Sequence, residues 1–184
     1  MKHIVMAVSM TLLILEAVAA VGQSSAPKPA PEPEQSDVWL GDWVFSGTAK
    51  DTLTEPEYKV DWQMHWHTIL GGFFAQGDSI WKGNGQEVQT LEIADRIGGK
   101  KTHSVIGFAS DGSTWVSTST FDHGTSIVNE TTTNPDGTIT TCRITFFLSS
   151  DGMSASGKEE CEANGVRWTG FQVNGTKAKL AGKK

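Results

Sequence analysis

Apolar and polar residues alternate with a period of two over most of the chain. The clearest case runs from Glu57 to His67, where every second residue from Tyr58 to Trp66 is apolar and the residues between them are polar. Such alternation is typical of a β-strand with one buried face and one face in water. No stretch after the first 20 residues shows convincing helical periodicity.

Short turn signals separate the alternating segments at regular intervals. Each contains glycine, which favours the tight turns of β-hairpins. They are Gly83-Asn84-Gly85, Gly98-Gly99, Asp111-Gly112, His123-Gly124, Asp136-Gly137, Asp151-Gly152, Asn164-Gly165 and Asn174-Gly175. The pattern predicts strands over 39–49, 57–69, 73–82, 86–95, 101–109, 113–121, 125–133, 138–148, 154–163 and 166–174.

This spacing predicts an all-β fold. Because the links between strands are short, we expect an antiparallel up-and-down order. An open sheet would leave two exposed edges, and closing it removes both. We therefore predict a closed barrel of about ten strands. A barrel of eight strands can already hold a small ligand, so we expect an internal cavity.

The two cysteines support one register within this barrel. Cys142 and Cys161 lie at equal distances from the Asp151-Gly152 turn. If that turn joins two strands, the cysteines are directly opposed, at a separation that suits a disulfide. The same register opposes Arg143 to Glu160 as an outward ion pair. We predict a structural disulfide worth roughly 3 kcal/mol; a redox-active pair is the alternative, but no Cys-x-x-Cys motif is present.

The N-terminal region predicts export. A weakly basic start precedes an apolar run over 4–15, and small residues follow up to Ala20. This order is typical of a signal peptide, and the run is too short to span a bilayer comfortably. We assign 1–20 to a signal peptide, 21–36 to a Pro-rich linker and 37–184 to the barrel domain, with a secreted or periplasmic location.

Charge excludes some partners. The chain has 184 residues and a formal net charge of −6, which disfavours binding to nucleic acid. We expect no stable membrane insertion after cleavage of the signal peptide. No sequence motif indicates a cofactor, and we expect none.

Two short motifs resemble a known family. Leu40-Gly41-Asp42-Trp43 resembles the Gly-x-Trp opening of lipocalin-like barrels. Leu70-Gly71-Gly72-Phe73-Phe74, shortly after Trp66, resembles the bacterial family called domain of unknown function 1579. The resemblance covers about 38–174 and implies a lipocalin-like, calycin-type barrel with no established reaction. Phe73 stands where that family often has arginine, so no polar role is carried over to it.

A related group, the haem-binding nitrobindins, also opens with Gly-x-Trp. Its axial histidine lies near the C-terminal end, and this chain has no histidine after His123. The sequence therefore does not favour haem.

Tryptophan stands out in the composition. The chain has seven tryptophans, each with a large apolar surface and one N–H donor. They either fill the core or line a cavity for a flat apolar or aromatic ligand, and the sequence leaves both open. The candidate ligand-binding tryptophans are Trp43, Trp62, Trp66 and Trp115.

Inward carboxylates are a second candidate for chemistry. The cysteine register places Glu159 on the face of Cys161, toward the interior. An inward carboxylate has a raised pKa and can act as an acid or base or bind a polar ligand group. We count Glu159 among the ligand-binding candidates, with a position at the barrel mouth as the alternative. Asp78 and Glu92 are further candidates of the same kind.

Histidines offer a third candidate. His65 and His67 point the same way on one strand, in a geometry that suits zinc, copper or iron. His103 or His123 would supply a third ligand. Because the opposite face of this strand is the apolar one, a solvent-exposed pair is the alternative.

The sequence favours an exported binding protein that holds a small, largely apolar ligand in a barrel cavity. One alternative is a barrel enzyme, a hydrolase or isomerase, using inward carboxylates or a His65/His67 metal site. Another is a non-catalytic interaction module. No Gly-x-Ser-x-Gly elbow, phosphate loop or His-Glu-x-x-His motif is present, so no reaction is predicted.

Overall fold

A computed structural model describes residues 35–96 and 102–178. The predicted signal peptide lies outside the described residues, as does most of the predicted linker. A short 3₁₀ helix, Gln35–Trp39, precedes the strands and is called the N-terminal helix below. The strands are β1 Gly41–Ala49, β2 Tyr58–Ile69, β3 Phe74–Gly83, β4 Gln86–Asp95, β5 Thr102–Ala109, β6 Thr114–Asp122, β7 Thr125–Thr133, β8 Ile139–Leu148, β9 Ser154–Ala163 and β10 Val166–Lys177.

The ten strands form a closed antiparallel barrel, which confirms the predicted fold class. Each strand pairs with its neighbours in the chain, and β1 pairs with β10 to close the sheet. Trp43 lies opposite Lys177, and Ala49 opposite Phe171. Closure leaves no free sheet edge, so the backbone hydrogen bonds of every strand are shared on both sides.

At three hairpins, an Asn-Gly or His-Gly pair adopts the left-handed backbone conformation that a tight turn requires. Asn84, His123 and Asn164 have φ near +50°, and a glycine with positive φ follows each of them. Two successive residues with positive φ define the type I′ turn, whose twist matches that of paired strands. The link from β2 to β3 is longer, and Leu70, Gly71 and Gly72 all have positive φ there. The glycine pair in the Leu-Gly-Gly motif is therefore a conformational requirement.

The Asn174-Gly175 pair, in contrast, is not a turn. Both residues lie inside β10, which continues to Lys177. Gly175 faces inward beneath the ring of Phe45, and a Cβ at this position would overlap that ring. Here glycine gives an aromatic ring room to lie across the neighbouring strand. Three other cross-strand pairs have the same arrangement: Phe146 over Gly157, Trp66 over Gly77, and Trp115 over Gly107.

One side of the interior is filled by packed rings. This packed side consists of the inner faces of β1, β2 and β8–β10. Trp43, Phe45 and Val173 are fully buried there. Phe45 lies 5.7 Å from Trp43, 5.3 Å from Trp62 and 5.9 Å from Phe146, measured between ring centroids. Offset and tilted rings at these distances stabilise a core beyond their buried area.

The structure forms the disulfide between Cys142 and Cys161, directly opposite each other on β8 and β9. Arg143 also lies opposite Glu160, as the register requires. The carboxylate of Glu160, however, bonds Lys158 Nζ at 2.8 Å, and Arg143 donates to Asn129. The predicted register is confirmed, and the salt bridge of Glu160 forms along its own strand.

Within the described ranges, no helix is long and apolar enough to cross a membrane.

Candidate functional site

The side of the interior opposite the packed rings is hollow. This hollow side consists of the inner faces of β4–β7, where many inward side chains are small or polar. A cavity of about 160 Å³ results. Its polar wall carries Glu92, His103, Ser117, Ser119, Ser126 and Glu130.

Aromatic and apolar side chains form the other wall of the cavity. Trp62, Met64 and Trp66 project from β2, which carries them on one face because its apolar residues alternate. Phe146 contributes from β8. The cavity therefore lies between an indole-rich wall and a polar wall, a composition that is typical of small-molecule sites.

The N-terminal helix covers part of the cavity. Trp39 lines the cavity and packs against Trp43 and Phe146, with ring centroids 5.2 and 5.1 Å away. Arg96 donates to Asp37 Oδ1 from Nη2 at 2.6 Å and from Nε at 3.1 Å, and to the Gly72 carbonyl at 3.0 Å. This ion pair is largely shielded from solvent, so it holds the helix in place more strongly than a surface pair.

Glu92 occupies the centre of a row that crosses five strands. In register, the row reads Trp66, Gly77, Glu92, Gly107, Trp115. Each tryptophan lies over the glycine next to it. Because the glycines have no Cβ, the indoles approach the carboxyl group from both sides. The sequence thus builds an apolar slot around one acidic side chain.

This environment changes the acidity of Glu92. Burial, and after it the nearby charge of Glu130, raise the pKa of Glu92 to about 8, while a hydrogen bond from Trp115 lowers it in part. Burial also raises the pKa of Glu130, and the hydroxyl of Thr132, which donates to Glu130 at 2.9 Å, opposes that rise. The Glu92 carboxyl is therefore protonated for the most part at neutral pH.

Glu159 is a third inward acid, but it does not line the cavity. It lies beside Gly170, where a Cβ would overlap its carboxylate, and close to the disulfide. Burial, followed by the charges of Glu130 and Asp51, raises the pKa of Glu159 to about 8. Glu130 thus influences the pKa of both Glu92 and Glu159.

The structure separates the predicted ligand-binding residues. Trp62 and Trp66 line the cavity. Trp43 lies in the packed core with 1% of its surface exposed. Trp115 reaches across Gly107 and donates a hydrogen bond to Glu92 without lining the cavity. Glu159 also lies outside the cavity lining. Of the weaker acidic candidates, Glu92 faces the cavity, while Asp78 is exposed and accepts two hydrogen bonds from Gln76.

His65 and His67 lie on the outer face of β2, with ring centroids 5.3 Å apart. His65 bonds Asp42 at 2.7 Å, and His67 has a buried Nδ1 with no hydrogen-bond partner in the described structure. His103 is inside the barrel, and His123 is in the exposed β6–β7 turn. Among the described residues, no cluster of three metal-binding side chains includes the pair. The one cluster found, Cys142, Glu159 and Cys161, has its thiols in the disulfide.

Sequence reasoning did not find Glu130 or Ser117, and it named His103 only as a third metal ligand, not as part of a cavity wall. A signal for Glu130 was available, because it lies opposite Cys142 and therefore faces inward with it. The serines gave no signal, since alternating Ser and Thr on β6 obscure which face is buried.

A larger but shallow concavity, of about 1350 Å³, lies on the outer surface across β4–β10. Its lining combines Thr, Ser and charged side chains with the apolar residues Phe74, Ile93, Ile106 and Val116, and it is open to solvent. Glu92 and Glu130 line the interior cavity together with the indoles of Trp62 and Trp66, and we take it as the candidate site for that reason.

No family model matches this chain, and no curated protein sequence does. Solved structures with a similar fold include the following two. The structure of Rv2717c from M. tuberculosis is 15% identical, with a TM-score of 0.63 over 83% of this chain and 100% of that chain. The S-type phycobiliprotein lyase CPES from Guillardia theta is 6% identical, with a TM-score of 0.56 over 78% of this chain and 90% of that one. Both are calycin-like barrels, and at these identities the likeness concerns the fold.

Proposed function

We propose that this protein is an exported binding protein that holds one small, largely apolar molecule inside its barrel. The observation that carries the proposal is the cavity of about 160 Å³ between the indoles of β2 and the polar wall of β4–β7. An engineered apolar cavity of about 150 Å³ in another protein binds benzene. Ligands of drug size need roughly 300 Å³ or more. The expected ligand is therefore about one ring in size.

The polar wall supplies the orientation. A protonated Glu92 donates one hydrogen bond, and the hydroxyls of Ser117, Ser119 and Ser126 donate or accept. A few such groups in an apolar cavity fix how a ligand lies without dominating its affinity. We therefore expect the ligand to carry a polar group at one end, which would hydrogen-bond to this wall.

Export is part of the proposal. The Cys142–Cys161 disulfide supports an oxidising compartment, because such bonds are rare in reducing ones. The apolar run within 1–20 supports a cleaved signal peptide. The Leu70-Gly71-Gly72 motif supports membership of the domain of unknown function 1579 family.

Native mass spectrometry of protein purified from its natural source tests the proposal, with elemental analysis on the same sample. We expect one added organic mass per chain, without stoichiometric metal, and a polypeptide mass that begins after Ala19 or Ala20. Stoichiometric metal lost on His65→Ala would favour the metal alternative instead.

A matched pair of variants locates the ligand. Ser117→Leu fills the cavity from β6, whereas Thr118→Leu places the same side chain on the outer face of the same strand. We expect the first variant to lose the added mass and the second to keep it. If both keep it, or if the native protein carries no mass and binds no single-ring compound, the cavity is not the site.

A further inference from the structure

We infer, resting on the proposed function, that the ligand of the cavity is a small organic cation: a single ring or short apolar group that bears one protonated amine.

The cavity wall carries more acidic than basic side chains. Glu92 and Glu130 line the cavity, and Glu159 lies beyond them toward β9. In the described part of the lining, Arg96 is the one permanent cation, and two of its nitrogens bond Asp37. Across 35–96 and 102–178, no lysine or arginine pairs with any of the three glutamates. An ionised carboxylate buried without a cation is costly, so without a ligand Glu92 keeps its proton, and a bound cation would stabilise the ionised form.

The aromatic wall of the cavity also favours a cation. Trp62 and Trp66 border the same cavity, and Trp66 lies next to Glu92 across Gly77. The face of an indole attracts a cation, and tryptophan does so most strongly of the aromatic side chains. A site that combines carboxylates with indoles attracts an ammonium group from both walls, whereas it would repel an anion.

Binding of a cation beside Glu92 would release a proton. Burial and the charge of Glu130 raise the pKa of Glu92 to about 8, so its carboxyl is mostly protonated at neutral pH. An entering ammonium group takes the place of that proton, which passes to solvent. The other ionisable groups on the wall are Glu130, His103, Asp95 and the Arg96–Asp37 pair. Because binding releases a proton below pH 8, the affinity for a cation rises as pH rises toward 8.

The experiment compares benzylamine with benzyl alcohol, which has nearly the same shape but no charge, by isothermal titration calorimetry on the purified mature protein. We expect benzylamine to bind about tenfold more tightly at pH 7. Its affinity should rise by up to about tenfold per pH unit between pH 6 and 8, while that of benzyl alcohol stays flat. Buffers with different protonation enthalpies should report about one proton released per benzylamine bound.

Two variants assign the effect to the wall. Glu92→Gln should remove most of the preference for benzylamine and the proton release, while the affinity for benzyl alcohol stays within about twofold. Glu87→Gln makes the same change on the outer face of β4 and should alter neither. Glu130→Gln gives a second test if Glu92→Gln does not fold.

The two proposals fail differently. If benzyl alcohol binds as tightly as benzylamine, or if Glu92→Gln keeps the preference, the cation inference is wrong and the cavity remains a binding site. If neither compound binds, and no other single-ring probe does, the proposed function itself is wrong.

Discussion

The packed and hollow sides of the barrel have the same backbone and differ in what their inward positions carry. On the packed side, rings of Phe45, Phe146 and Phe171 contact one another and their neighbours. On the hollow side, serines occupy the equivalent positions of β6 and β7. The pleat decides which residues face inward, and their size decides whether the space becomes a core or a site. Stability and binding are therefore expected to separate between the two sides.

The largest expected effect tests the packed side. Phe45→Ala removes a ring that is fully buried and contacts three others. We expect the free energy of unfolding to fall by about 3–5 kcal/mol, measured by urea denaturation followed through tryptophan fluorescence. Ser117→Ala, on the hollow side, should cost about 1 kcal/mol or less.

The neighbouring Val44→Ala is the control for Phe45→Ala. Val44 lies on the same strand with 48% of its surface exposed, so its truncation should cost about 0.5 kcal/mol or less. If Ser117→Ala destabilised the protein as much as Phe45→Ala, the hollow side would be part of the core and the comparison would fail.

The direction in which many side chains point could be predicted from the sequence. The alternation from Tyr58 to Trp66 determined the inward face of β2, and the Asp151-Gly152 turn determined the register of Cys142 with Cys161. Both predictions depend on a period of two and on one turn, which are local properties. The inward direction of Glu159 followed from the same register.

The identity of the hollow side could not be predicted in this way. Which inward residues surround a cavity depends on how far apart opposite walls lie, and that distance is a property of the closed barrel. Trp43 and Trp62 are both inward-facing tryptophans of alternating strands. Trp43 is nevertheless fully buried in the core, whereas Trp62 borders the cavity. The sequence Asn174-Gly175 predicted a turn, but this glycine lies inside β10, where it makes room for the ring of Phe45. Sequence alone does not distinguish the two uses of glycine.

A second prediction concerns the pH dependence of stability, which the hollow side should control. Burial and the charge of Glu130 raise the pKa of Glu92 from 4.5 to about 8, so the folded state keeps a proton that the unfolded chain loses. Unfolding therefore releases a proton between about pH 4.5 and 8, and stability falls as pH rises through that window. The expected loss is about 1 kcal/mol per pH unit for such a carboxyl.

Urea denaturation of ligand-free protein at pH 5, 6, 7 and 8 measures this slope. Glu92→Gln should make it shallower, and Glu159, whose pKa is also raised, should account for part of what is left. Glu87→Gln is the matched control, because Glu87 is exposed and its salt bridge with Lys82 lowers its pKa below this window. An unchanged slope in Glu92→Gln would mean that Glu92 is already ionised in the folded protein.

The smallest expected effect compares one substitution on the two sides. Gly157→Ala places a Cβ against Phe146, whose ring is held by Trp39, Phe45, Trp62 and Phe171, so it has little room to move and the cost should be about 1–3 kcal/mol. Gly107→Ala places a Cβ against Trp115, which makes no ring–ring contact among the described residues and can shift, so the cost should be smaller.

The shift of Trp115 should also break its hydrogen bond to Glu92, which lowers the pKa of Glu92. The pH dependence of stability should therefore extend to higher pH. Equal costs for the two substitutions, with no change in the pH dependence, would show that the hollow side is as tightly packed around Glu92 as the core is around Phe146.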